Sequence, residues 1–158
     1  MSIDELHASL TPFKVNGSGN GMQTDLVTDS GHKVIVDEPP ALGGQNVGPN
    51  PMEYLLAAFT GCVTVMVTII AGELSLPTQG VRWGKVEAGL DLKGLMGEPG
   101  AIPHLQTLIA ELAVITPEAP DSPKFLALQE KVLARCPVLT MYAKSGLQID
   151  LKWSAVAE

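Results

Sequence analysis

Cysteine is scarce in this chain, with only Cys62 and Cys136 among 158 residues. There is no CxxC pair, and His7, His32 and His104 are scattered, so the ligand spacing of a zinc site is missing and no metal or other cofactor is expected. The GxGxxG, P-loop, HExxH and GxSxG patterns are absent as well, which removes the common dinucleotide, nucleoside-triphosphate, zinc-protease and serine-hydrolase readings. Positive charge is also in short supply: ten Lys plus Arg stand against 17 Asp plus Glu, for a formal net charge of −7 and a pI near 4.9. Such a balance argues against a phosphate backbone or an anionic membrane as partner. The opening Met1-Ser2-Ile3-Asp4-Glu5 lacks the basic and apolar regions of a secretory signal, which predicts a cytoplasmic protein. Thiols are kept reduced there, so the two cysteines are expected to be free or redox-active rather than a structural bridge.

What is present is apolar. Hydrophobic residues make up 46% of the chain and charged ones 17%, enough to bury a core without a disulfide or a metal. No repeat or low-complexity tract divides it, and one domain over residues 1–158 is expected. Short strands are predicted around Phe13–Val15, Met22–Thr28 and Lys33–Val36, with turns at Asn16-Gly17-Ser18-Gly19-Asn20-Gly21 and Asp29-Ser30-Gly31, and then a Pro- and Gly-rich loop from Pro39 to Pro49. At Asn50-Pro51-Met52-Glu53 the signals of a helix start coincide: an Asn N-cap, Pro at N1 and Glu at N3. From Tyr54 to Gly72 no residue is charged, a run long enough to span a bilayer. Acidic flanks at Glu53 and Glu73, and the absence of a juxtamembrane basic cluster, favour a buried helix instead. A helix apolar on all sides must be covered on all sides. One small sheet cannot do this, which predicts a second copy of the chain against its open face.

After Pro77, Val86, Ala88, Leu90 and Leu92 alternate with polar residues or glycine as a strand, and a second strand near Leu108–Ile115 follows the loose link Lys93–Pro103. Ser122-Pro123 repeats the cap-plus-proline signal for an amphipathic helix to about Arg135, with Phe125, Leu128, Val132 and Leu133 on its apolar face. Cys136-Pro137 starts another helix ending near Lys144-Ser145-Gly146, and Leu147, Ile149, Leu151 and Trp153 alternate as a last strand. Taken alone, Cys136 is the better placed thiol, at a helix N-terminus beside Arg135, where negative charge is favoured. Cys62, about three turns into an apolar helix, has surroundings that disfavour a thiolate. Trp83, Trp153, Tyr54 and Phe59 are read as packing residues, and His104 as a solvated loop histidine.

Two stretches resemble the OsmC/Ohr family of osmotically inducible and organic hydroperoxide resistance proteins. They are Gly48-Pro49-Asn50-Pro51-Met52-Glu53-Tyr54-Leu55-Leu56-Ala57-Ala58-Phe59-Thr60-Gly61-Cys62 and Cys136-Pro137-Val138. The layout is similar across most of the chain. The resemblance implies an α+β, OsmC-like fold: N-terminal β-meander, long buried central helix, β-hairpin, C-terminal helices and last strand, made as an intertwined homodimer. It further implies a cysteine-based peroxidase of the oxidative stress response. Cys62 would reduce an organic hydroperoxide to the alcohol and become a sulfenic acid, Cys136 would close a Cys62–Cys136 disulfide, and an external dithiol of the lipoyl type would reset the pair. Glu53 and Arg135 are the candidates for substrate or thiolate support.

The chain departs from that pattern in two places. Peroxidase members carry an Arg in the N-terminal strand–turn region, whereas no Arg here precedes Arg82. Met52 stands directly after Asn-Pro, so Glu53 falls one place later and suits a capping box. A second reading therefore stays open: a non-enzymatic OsmC-like protein that binds an apolar or electrophilic small molecule at the dimer interface.

Overall fold

The structure, a computed structural model, describes residues 2–157. The chain divides into two compact units, residues 1–54 and 55–158. The first begins with a short helix, α1 (Ile3–Ala8), which the sequence reading missed. Its signal is a capping box: the Ser2 hydroxyl accepts from the Glu5 N–H, and the Glu5 carboxylate accepts from the Ser2 N–H. An antiparallel meander follows, β1 (Val15–Asn20), β2 (Gln23–Thr28) and β3 (Lys33–Val36), with Val15 opposite Thr28 and Thr24 opposite Val36.

The expected turn at Asn16–Gly21 is instead most of β1, and the chain reverses only at Gly21-Met22. Glycine makes this strand possible. A Cβ on Gly17 would lie 2.0 Å from the Asp25 carbonyl oxygen, so only a residue without a side chain allows β1 and β2 to pair so closely there. Gly21 supplies the positive φ of the reversal. Beyond β3 the predicted loop holds a single 3-10 turn at Pro40–Leu42. It is organised around Asp37, whose carboxylate accepts from the N–H groups of Glu38, Gln45 and Val47 at 2.8, 2.9 and 3.1 Å.

At the end of this unit the long helix α2 (Pro51–Glu73) starts where the sequence predicts. The Asn50 side chain accepts from the Glu53 N–H at 2.9 Å, and the Glu53 carboxylate accepts from the Asn50 N–H at 2.8 Å. By length and composition α2 could cross a membrane. In the fold it is the core helix of the second unit, where Phe59, Val63, Val67, Ile70 and Ala71 are buried. The expectation of burial on all sides is not met within one chain, since Val65 and Ile69 are 57% and 47% exposed. The helix closes with Ser75 at positive φ, the Leu76 N–H on the Ala71 carbonyl and the Ser75 N–H on that of Gly72. This Schellman ending uses Ser where Gly is usual.

Residues 80–156 of the second unit hold a mixed sheet of β4 (Gly80–Leu90), β5 (Leu105–Ile115) and β6 (Gln148–Val156). β4 and β5 form the expected antiparallel hairpin, whose link includes a short helix, α3 (Leu92–Leu95), capped by Asp91. Leu92 is thus in the link and exposed, not in the strand. α4 (Pro123–Arg135) and α5 (Pro137–Lys144) begin at Ser122-Pro123 and Cys136-Pro137 as predicted. They carry the crossover that lets β6 pair parallel to β5. Phe125, Leu128 and Val132 are buried, whereas Leu133 lies on the exposed side of α4.

Candidate active site

Cys62 comes from the middle of α2 and Cys136 from the junction of α4 and α5, and the fold brings their sulfurs to 3.3 Å. Both are free thiols, Cys62 half-buried and Cys136 fully buried. A disulfide needs about 2.0 Å between sulfurs, so a small side-chain shift would close one.

Two ties to α2 fix Cys136 from either side. On the α4 side, Arg135 donates from both terminal nitrogens to the Glu73 carboxylate, at 2.6 and 2.8 Å. On the α5 side, the Tyr142 hydroxyl donates to the Leu55 carbonyl at 2.9 Å and its ring stacks on Phe59, with centroids 6.2 Å apart. Phe59 also meets Trp83 at 5.7 Å, and the Trp83 indole N–H donates to the Thr64 hydroxyl at 3.0 Å. Cys62 lies between Phe59 and Thr64 in sequence, so α2 is anchored to β4 on both sides of it and to α5 on the Phe59 side.

For Cys136 the structure reverses the expectation from local sequence. Burial pushes the Cys136 thiol up to about 11, against the downward pull of the Leu139 N–H and with a further push from Cys62. Its position at the start of α5 does not compensate, and the side chain makes no capping hydrogen bond. Cys136 therefore keeps its proton at neutral pH, and the more exposed Cys62 is the one a dissolved molecule can reach.

Of the two support candidates, Glu53 is engaged in the capping box with Asn50, the use its shifted position suggests. Arg135 is directed to Glu73 and not to the sulfurs. That pairing lowers the Glu73 carboxyl and raises the Arg135 guanidinium, in both cases chiefly through the hydrogen bonds they share. The residues that sequence reasoning missed as site builders are Glu73, Tyr142 and Thr64. Their partners are remote in sequence, so no local pattern announces them. A cleft of about 500 Å³ lined by Pro77, Thr116 and Pro117 includes neither cysteine.

A half-buried thiol in contact with a buried one, between a long central helix and a Cys-Pro helix start, is the arrangement of a dithiol protein. The family model for OsmC-like proteins matches residues 43–152, and the chain belongs to that family. Solved structures agree in fold. An OsmC-like protein from Mycoplasma pneumoniae is 15% identical with a TM-score of 0.75, covering 92% of this chain and 98% of its own. An organic hydroperoxide resistance protein from Elizabethkingia anophelis is 19% identical with a TM-score of 0.69, covering 93% and 98%. Another, described as OsmC and a predicted redox protein, from Legionella pneumophila, is 16% identical with a TM-score of 0.66, covering 92% and 98%. Comparison with curated proteins finds no match.

Proposed function

We propose that the protein is a cytoplasmic thiol peroxidase that reduces organic hydroperoxides, working as a homodimer. The observation that carries this reading is the 3.3 Å approach of an accessible Cys62 sulfur to a buried Cys136 sulfur. The Cys62 thiolate attacks the distal oxygen of ROOH; the O–O bond breaks, and the alkoxide takes a proton to leave as the alcohol. Cys62 is then a sulfenic acid. The Cys136 sulfur attacks it, the S–O bond breaks, and the departing hydroxide takes the Cys136 proton to leave as water. An external dithiol reduces the disulfide by exchange, becoming a disulfide itself. The apolar residues around Cys62 favour an organic peroxide, since each Å² of apolar surface removed from water is worth about 25 cal/mol.

The homodimer reading rests on uncovered apolar surface. Val65 and Ile69 on α2 are exposed, and so are Phe13, Val15 and Ile35 in the first unit. Apolar surface exposed within each unit is commonly covered by a partner. An Ile69→Arg variant is expected to sediment as a monomer at concentrations where the parent is a dimer; a parent that sediments as a monomer would contradict the reading.

Stopped-flow mixing of reduced protein with cumene hydroperoxide tests the peroxidase. Rapid peroxide loss is expected from the parent, one slow-resolving turnover from Cys136→Ser and none from Cys62→Ser. Peroxide untouched by the parent would instead favour the non-enzymatic small-molecule binder.

A further inference from the structure

We propose that Cys136 has a second task in the reduced protein: its buried S–H donates to the Cys62 sulfur and lets that sulfur hold the negative charge of the pair. The proposal deepens the peroxidase reading and rests on it for the identity of Cys62 as the reacting sulfur. Geometry carries it. The Cys136 sulfur is directed to Cys62 at 3.3 Å, within the range for a hydrogen bond between sulfurs. Cys136 has no solvent exposure and makes no capping bond, so its proton has the Cys62 sulfur as its acceptor. The Thr140 hydroxyl, one turn along α5, is spent on the carbonyls of Cys136 and Pro137. A desolvated thiol beside a more exposed one keeps its proton, and a hydrogen bond from a neutral donor to an ionised acceptor is among the stronger kinds.

On the elements that carry the pair, the charged groups Glu53, Glu73, Lys124 and Arg135 are bonded elsewhere. On α2 and α4, Glu73 and Arg135 hold each other, Lys131 adds to the charge acting on Glu73, and Lys124 donates to the Ser75 carbonyl. On α5, the Tyr142 hydroxyl is bonded to Leu55, and Lys144 lies in the last turn. No cation is paired with either sulfur among the described residues, and a thiol donor takes the place a cation would otherwise fill. When Cys62 has become a sulfenic acid, the same contact leaves the Cys136 sulfur beside the atom it must attack. Positioning in the reduced state and resolution after oxidation are then two uses of one approach.

The test uses no peroxide. Fully reduced parent, Cys136→Ser and Cys136→Ala proteins are alkylated with iodoacetamide across a range of pH, and the modified site is read by mass spectrometry. Cys62 is expected to react first in the parent, with Cys136 spared. In Cys136→Ala the Cys62 rate at neutral pH should fall about tenfold and its pH–rate profile move about one unit toward alkaline pH. Cys136→Ser, which retains a donor, should recover part of the shift. A Raman measurement on the folded parent supplies the second readout: the Cys136 S–H stretch should move on Cys62→Ala replacement. Superimposable profiles for the parent and Cys136→Ala, or alkylation of Cys136 ahead of Cys62, would overturn the proposal. A shifted profile in a protein that leaves hydroperoxide untouched would retain the hydrogen bond and remove only the peroxidase.

Discussion

The two units of this chain are stabilised by different physics. In residues 55–158 the interior is a continuous apolar cluster, from Phe59 and Val63 on α2 through Leu108 and Leu112 on β5 to Phe125 and Val132 on α4. In residues 2–54 the single fully buried residue is a carboxylate, Asp37, held by three backbone N–H groups. Its strands expose Val15, Val27 and Ile35, and Phe13, just before β1, is almost completely exposed. One unit holds two sulfurs 3.3 Å apart beside an apolar core; the other depends on backbone pairing and on the hydrogen bonds to Asp37. Both cysteines belong to the unit that has a core.

That contrast can be broken at either end. Phe59→Ala should have the largest effect, a loss of about 3–5 kcal/mol in denaturant unfolding, because it removes a buried ring that stacks on Tyr142 and meets Trp83 at a tilt. Disulfide closure in that variant should slow along with it. Gly17→Ala should cost less, about 1–3 kcal/mol, since the new Cβ must push β1 away from the Asp25 carbonyl. Hydrogen exchange is expected to rise in residues 15–28, while Cys62 alkylation stays at the parent rate.

The pH response should also divide by unit. The Val47 N–H and its neighbours hold the Asp37 carboxyl below its ordinary value, so its stabilising contribution is present above about pH 3.8 and is lost as pH falls through the lower folded value. Limited proteolysis in acid should cut first in the loop of residues 38–47. At the other extreme, Cys136 binds its proton more tightly when folded. Its contribution is complete below about pH 9 and declines as pH rises toward about 11, a slope that Cys136→Ser should flatten in alkaline denaturant titrations. The smallest effect is expected from Glu73→Gln, an exposed pair whose loss should slow disulfide closure a few-fold and leave unfolding nearly unchanged.

Legibility in the sequence follows the same division. The starts of α2, α4 and α5 were readable because Asn-Pro, Ser-Pro and Cys-Pro place a cap and a fixed φ at adjacent positions. The OsmC-like family and its α+β order could be read from the same segments. β1 was not, because a strand of Asn, Gly and Ser carries no apolar alternation and forms only through its pairing with β2. Parallel pairing of β5 with β6 was equally hidden, since periodicity reports a face and not a neighbour. At the site, the two cysteines could be named from their motifs. The burial that raises the Cys136 thiol and the capture of Arg135 by Glu73, 62 residues away, could not, because both are consequences of packing.

The most direct measurement is intact-mass analysis and free-thiol counting of reduced protein after one equivalent of an organic hydroperoxide. A Cys62–Cys136 disulfide is predicted, with the mass lowered by two hydrogens, no free thiol left and one equivalent of alcohol released. An unchanged mass with two free thiols in excess hydroperoxide would contradict it.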